Sequence, residues 1–327
     1  MGSKIRWGIV GPGKIAQNFA NDLKLLDDCE LTAVASRNSQ RAKDFADTYQ
    51  IPHIFDDYES LFESDTADVL YIATPHTFHK DLAIRAMKAG KHVLCEKPLG
   101  INAKEVNEMI AVAKENNVFL MEALWSRFNP TIKKVKQLIE EGVLGEIKYI
   151  NADFAFYALD RSLDSRLLNL ALAGGTLLDI GIYPVFLAYL FLGKPERLEA
   201  ISNFNKIGTE IQTSMIFQYK NAQAILNSSF ANDSAMPAEI AGTKGSITLQ
   251  RRFHEAQAYT LNIDETSEVV KLPTNGIGYT YEITEVNNCI RESRIESSLW
   301  SHNDSIALIS LLDEIRQKNG IRFPFED

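Results

Sequence analysis

The first 120 residues alternate between two hydrophobic textures. Short apolar runs at 5–10, 31–35, 69–73, 92–95 and 118–121 have the length of buried strands. Between them lie longer mixed stretches with apolar residues at helical spacing. Ile15, Phe19, Leu23 and Leu26 form one series, and Leu82, Ala86 and Ala89 another. Strand and helix in repetition predict a parallel, doubly wound α/β sheet of the Rossmann type. Gly90, directly after the second series, is a helix-stop signal before the next strand.

Near residue 125 the texture changes. Asn129-Pro130 marks a break, and 131–141 reads as a helix ended by Gly142. Positions 147–156 alternate as a strand does, and 175–192 reads as helical. Strand-like runs follow at 197–205, 213–219, 222–230, 238–241, 246–249, 259–263 and 267–272. Short polar turns such as Lys220-Asn221 and Gly242-Thr243-Lys244-Gly245 join several of them, so the sheet is expected to be largely antiparallel. Two helices, near 281–294 and 304–318, close the chain. The expected organisation is a Rossmann domain over 1–123 and an α+β domain over 124–327 with a large, mostly antiparallel open sheet. A length of 327 residues accommodates both at roughly 150 residues per domain.

Charge narrows the function classes. The chain has 34 basic and 43 acidic residues, a net charge of −9. An acidic balance argues against a nucleic-acid binder, which carries a basic face. Cys29, Cys95 and Cys289 are odd in number and widely spaced, a pattern of a reducing compartment rather than of disulfides or a metal centre. The N-terminus has no apolar run of signal-peptide length, and a myristoyl signal at Gly2 would need Ser or Thr where Arg6 stands. The apolar run 180–192 is shorter than the roughly 20 residues of a membrane span and contains Pro184. A cytoplasmic protein without membrane or nucleic-acid partners is expected.

Candidate chemistry begins where the first strand ends. Gly11-Pro12-Gly13-Lys14-Ile15-Ala16 is the dinucleotide-binding turn G-x-G-x-x-A. Gly11 permits the tight turn, Gly13 lets backbone approach a pyrophosphate, and Ala16 permits close helix–strand packing. The free N–H groups at the start of the following helix favour an anion. The second strand ends in Ser36-Arg37 without the acid that holds a ribose 2′-hydroxyl. Arg37, with Ser36 and Arg41, suits a 2′-phosphate instead, so NADP is expected over NAD. The run 69–73 leads into Thr74-Pro75-His76-Thr77-Phe78-His79. The spacing of His76 and His79 also suits a metal, but no third ligand is evident, so contact with the nicotinamide half or helix capping is the expectation. Glu96, Lys97 and Arg127 complete the set of candidate cofactor-binding residues.

Glu96-Lys97-Pro98 closes the strand at 92–95 and places Lys97 at its carboxyl end, where α/β sheets bind ligands. Lysine is rarely buried without a partner, and Pro98 biases Lys97 to extended backbone. The ordinary alternative is a surface lysine ending a strand. A second cluster lies in Gly174-Gly175-Thr176-Leu177-Leu178-Asp179-Ile180-Gly181-Ile182-Tyr183-Pro184. In a helix, Asp179 and Tyr183 share one face, and a carboxylate with a phenol in apolar surroundings suits proton transfer. The alternative is a core tyrosine and a capping aspartate.

These motifs, in this order, resemble the glucose–fructose oxidoreductase, inositol dehydrogenase and rhizopine-catabolism (Gfo/Idh/MocA) family over essentially the whole chain. Met121-Glu122-Ala123-Leu124-Trp125-Ser126-Arg127-Phe128 and the run from Asp179 to Pro184 resemble the branch of dimeric dihydrodiol dehydrogenase and NADP-dependent D-xylose dehydrogenase. The resemblance implies an NAD(P)-dependent oxidoreductase, NADP-linked, moving hydride between nicotinamide and the CH–OH of a sugar or cyclic diol. It assigns Lys97 and Tyr183 to catalysis, with Asp179 orienting the substrate or Tyr183. Many family members carry His at the Tyr183 position; the phenol is this branch's own acid/base. Ionising a phenol of ordinary pKa about 10 near pH 7 costs about 4 kcal/mol. A lysine ammonium about 4 Å away offsets a similar amount at an effective dielectric near 20. A neutral Lys97 acting as base is the alternative. The resemblance also implies a homodimer or higher oligomer through the C-terminal sheet, with Ile216, Phe217 and Phe230 as candidates for burial in a partner. Two other readings stay open at the level of sequence: an NADP-binding sensor without turnover, and a reductase of C=N or C=C bonds.

Overall fold

The computed structural model describes residues 3–326; Gly2, considered above for lipidation, lies outside them. The chain divides into two compact units, and the division is not a single cut near 123. The first unit holds the residues up to Phe128 together with Asn275–Ile306; the second holds Asn129–Thr274 and the residues from Ala307 onward.

In the first unit, six parallel strands are ordered β3-β2-β1-β4-β5-β6. They are β1 (Ile5–Val10), β2 (Cys29–Ala35), β3 (His53–Phe55), β4 (Val69–Ile72), β5 (His92–Glu96) and β6 (Leu120–Ala123). This order reverses direction at β1/β4, the switch point at which doubly wound sheets bind ligands. The connecting helices are α1 (Lys14–Leu23), α2 (Ser39–Tyr49), α3 (Tyr58–Glu63), α4 (His79–Lys88) and α5 (Ala103–Glu115). The caps are local and legible: the side chains of Asn38, Asp57 and Asn102 accept from the first turns of α2, α3 and α5. α8 (Thr280–Arg291) returns to this unit. Asp22 on α1 accepts from three successive amides, Ile277, Gly278 and Tyr279, which lead into α8.

The second unit is built on eight strands ordered β14-β13-β12-β11-β7-β10-β9-β8. They are β7 (Ile147–Ala155), β8 (Arg197–Phe204), β9 (Glu210–Gln218), β10 (Gln223–Ser229), β11 (Ala238–Gly242), β12 (Gly245–Leu249), β13 (Ala258–Ile263) and β14 (Thr266–Lys271). Every pair is antiparallel except β7 with β10. α6 (Pro130–Glu140) precedes the sheet, and α7 (Ile182–Leu192) packs on β7 and β10. α9 (His302–Asn319) gives its first turn to the first unit and the rest to the second.

Three expectations are corrected here. The segment 175–192 is not one regular helix: Leu177–Gly181 forms a π-turn before α7 begins. The helical stretch Leu170–Leu192 does reach the length and hydropathy of a membrane span, because the structure extends it backward from the run at 180–192. It is largely buried inside the protein, the pattern of a core helix. Phe217 and Phe230 are fully buried and are not available to a partner. Strand alternation is the reason for Phe217: Ile216 and Phe217 face opposite sides of β9, so only Ile216 is exposed.

Candidate active site

At the end of β1, Gly11 has φ +87°, and a Cβ there would come within 2.8 Å of Thr74 Cγ2. Only glycine fits both conditions. Gly13 caps α1 in extended backbone, and a Cβ on it would meet nothing within 4 Å. Pro12 is buried, Lys14 exposed and Ile15 half-buried. Small residues, an open face and a helix N-terminus together fit a dinucleotide pyrophosphate.

The end of β2 carries the charge. Ser36 is buried, and its Oγ accepts from Asn38 N–H. Arg37 is exposed, with its guanidinium 5.1 Å from the ring centre of Phe78. Arg41 is exposed on the first turn of α2, where its N–H donates to Asn38 Oδ1. A half-buried segment, Thr74-Pro75, leads from β4 to buried His76. His79 is fully buried: Nδ1 lies 2.9 Å from Pro98 O and Nε2 2.9 Å from Thr74 O. Its ring ties the β4 loop to the β5 loop. Among the described residues no group of three or more His, Cys, Asp or Glu converges as metal ligands would.

Lys97 is half-buried at the end of β5, and the Lys97–Pro98 peptide is cis. Three successive backbone groups around it are held. Lys97 N–H donates to its neighbour Glu96 Oε2 at 3.3 Å, Pro98 O meets His79, and Leu99 N–H donates to Glu122 Oε1 at 2.9 Å. Glu96 is buried and its other oxygen accepts from the Tyr71 hydroxyl. Both of its carboxylate oxygens thus accept within the unit. Burial and the Glu96 charge push the Tyr71 phenol well above its usual value. Burial likewise pushes Glu122 up, against the pull of its donors and of the Lys97 ammonium. Cys95 is fully buried, and burial raises its thiol well above its usual value, so it is an inert strand residue. Arg127 is buried in the turn Trp125–Phe128, with its N–H on Leu124 O.

In the second unit, Asp179 sits in the π-turn and Tyr183 in the first turn of α7; both are buried. Asp179 Oδ1 accepts from Arg166 at 2.9 Å. Tyr183 lies among rings, with Phe154 5.4 Å and His254 5.1 Å away between centres. Phe154 and His254 stack on each other at 4.3 Å. The turn before Asp179 is fixed from below by Glu210 on β9, which accepts from Thr176 Oγ1, from Thr213 Oγ1 at 2.7 Å and from Leu177 N–H at 2.9 Å. Gly181 permits the close approach of helix to strand, since a Cβ there would lie 2.9 Å from Ser228 Oγ.

Sequence reasoning did not single out Arg166, Phe154, His254, Glu122 or Glu210. Arg166 stands 13 residues from its partner, and the two glutamates lie on strands whose neighbours only the fold defines. For Phe154 the one available signal was its inward register on β7.

A model described as "Oxidoreductase family, NAD-binding Rossmann fold" (GFO/IDH/MocA) matches residues 5–124, and one for the "GFO/IDH/MocA C-terminal domain" matches 132–248. The trans-1,2-dihydrobenzene-1,2-diol dehydrogenase of Xenopus tropicalis is 35% identical over 333 residues, covering 98% of this chain and 99% of that protein. The human protein of the same name is 34% identical, covering 98% of each. Among solved structures, KijD10, a 3-ketoreductase from Actinomadura kijaniata in complex with NADP and TDP-benzene, superposes with a TM-score of 0.88. It is 27% identical and covers 97% of this chain and 98% of its own.

Proposed function

Because the chain belongs to the GFO/IDH/MocA oxidoreductase family, we propose that it is an NADP-linked dehydrogenase acting on the CH–OH group of a cyclic diol or sugar. The observation that carries this reading is the handling of Lys97. A half-buried ammonium stands at the carboxyl end of β5, and the backbone on both sides of it is pinned by buried side chains. A surface lysine ending a strand needs no such support.

Bound nicotinamide supplies the hydride acceptor at C4. The chain's own residues bind and handle protons. Gly11, Gly13 and the N-terminus of α1 receive the pyrophosphate, and Arg37, with Ser36 and Arg41, takes the 2′-phosphate that distinguishes NADP. Tyr183 takes the hydroxyl proton during oxidation, and Lys97 supplies a cation at the carboxyl end of β5. Asp179, held by Arg166, orients substrate hydroxyls. The rings of Phe154 and His254 beside Tyr183 suit the carbon face of a diol or pyranose. The names of the relatives support a diol, and the NADP complex of the 3-ketoreductase supports the cofactor choice.

We further propose a cytoplasmic homodimer through the outer face of the C-terminal sheet, where Ile201, Ile216 and Ile225 are exposed. Ile216 and Ile225 are cross-strand neighbours. The cysteines are free, which suits a reducing compartment.

Tyr183→Phe tests the acid/base assignment. With trans-1,2-dihydrobenzene-1,2-diol and NADP, kcat is expected to fall by about 10²–10⁴-fold, with NADPH affinity unchanged. A variant that alters only KM would make Tyr183 a binding residue.

A further inference from the structure

Glu122 stands in the middle of β6, opposite Cys95 in the sheet register and 3% exposed. An ionised carboxylate offers acceptors only. Three donors reach it from two separate segments: Leu99 N–H at 2.9 Å from one, and Trp300 Nε1–H at 3.1 Å and the Ser305 hydroxyl at 2.8 Å from the other. Leu99 is two residues beyond Lys97 and Trp300 lies after α8, so one buried side chain joins the β5 loop to the C-terminal segment of the same unit. A glutamine has one acceptor oxygen: with that oxygen toward Leu99 its NH₂ would face the indole N–H and the hydroxyl together, and flipped it would face the Leu99 N–H. The residue type is therefore matched to the site as a carboxylate, although burial penalises that charge.

We propose that Glu122 is the positioning residue for Lys97: it fixes the backbone that follows the lysine. This gives a task to the Met121–Glu122 part of a motif that the reaction itself leaves unused. It rests on the catalytic reading of Lys97.

The test compares Glu122→Gln and Glu122→Asp in the full chain with NADP and trans-1,2-dihydrobenzene-1,2-diol. Three quantities are measured: kcat, the Kd of NADPH, and amide exchange of the peptide 97–101 in the cofactor-free protein. Glu122→Gln is expected to lower kcat at least tenfold with Kd within twofold, and to speed exchange at 97–101. Glu122→Asp keeps the charge and is expected to recover several-fold of the lost kcat. A Glu122→Gln protein with kcat within twofold of the parent overturns the proposal. Equal losses in Gln and Asp variants, together with lost NADPH binding, overturn it in favour of a purely structural role. Lys97→Met, run in parallel, separates the two levels. If it retains turnover, the catalytic reading of Lys97 fails and the role of Glu122 fails with it. If it is inactive while Glu122→Gln is unimpaired, only the role of Glu122 fails.

Discussion

Replacing Glu210 by leucine removes the acceptor beneath the turn that carries Asp179 and leads to Tyr183. Glu210 and its donors Thr176, Thr213 and Leu177 are all 1% exposed or less, so water cannot take over. The hydroxyls have other partners: Thr176 Oγ1 lies 2.9 Å from Ser228 Oγ, and Thr213 Oγ1 lies 2.8 Å from Ser202 Oγ. Leu177 N–H is left stranded in Glu210→Leu. An orphaned buried donor costs about 1–3 kcal/mol, and a hydrogen bond to a charged group is worth about 1.5–3 kcal/mol. Glu210→Leu should therefore lose about 3–5 kcal/mol. In Glu210→Gln the amide oxygen still accepts from Leu177 while the hydroxyls rotate to accept from the NH₂, so the loss should stay near 1 kcal/mol. At about 2–4 °C per kcal/mol for a unit of this size, Tm should fall by about 6–20 °C in the leucine variant and by a few degrees in the glutamine variant. Calorimetry and urea unfolding measure both. Equal stability of the two variants would refute the argument that acceptor capacity, rather than shape, holds this turn.

Arg37→Ala should raise KM for NADP by about 10–100-fold, the equivalent of about 1.5–3 kcal/mol, and leave NAD kinetics unchanged; equal effects on both cofactors would remove the 2′-phosphate role. Glu282 on α8 is fully buried, and neither carboxylate oxygen has a hydrogen-bond partner. Burial first, then the Glu96 and Asp22 charges, push its carboxyl well above the usual range. The folded state thus holds this proton more tightly than the unfolded chain does. The stability it contributes is complete below the ordinary carboxylate pKa and is lost as pH rises through the raised folded value. Glu282→Gln should flatten that decline, so its advantage in urea unfolding should be larger at pH 9 than at pH 5; an advantage independent of pH would count against the assignment. Ile216→Lys should reduce the apparent mass in sedimentation from dimer to monomer with little change in fold, and an unchanged dimer would move the interface elsewhere.

Much of the fold was legible because the first part of the chain repeats a strand–helix alternation and the second is dominated by strand alternation. Strand boundaries from β7 to β14 mostly follow the apolar alternation to within a few residues, β9 starting three residues before the run that predicts it. β3 was not legible: His53–Phe55 is three residues long, with His53 and Ile54 exposed, and gains its place from pairing with β2. The parallel pairing of β7 with β10 joins strands nearly 70 residues apart, which no local pattern records. The return of Asn275–Ile306 to the first unit depends on contacts of the same long range, such as Asp22 with the amides of 277–279. At the candidate site, glycines and the Glu-Lys-Pro run are visible because turns and strand ends restrict residue type locally. The supporting acids Glu122, Glu210 and Glu282 carry no local signal of burial, since charged residues are seldom buried. Only the convergence of donors from distant segments, or in Glu282 their absence, reveals what the fold does with them.

The most direct test of the central claim is the reduction of NADP and of NAD by the purified protein with trans-1,2-dihydrobenzene-1,2-diol and D-xylose, followed by nicotinamide absorbance, with Lys97→Met beside the parent. Turnover with NADP at higher kcat/KM than with NAD, abolished in Lys97→Met while NADPH still binds, is the predicted result. Undiminished turnover in Lys97→Met, or a clear preference for NAD, would contradict it.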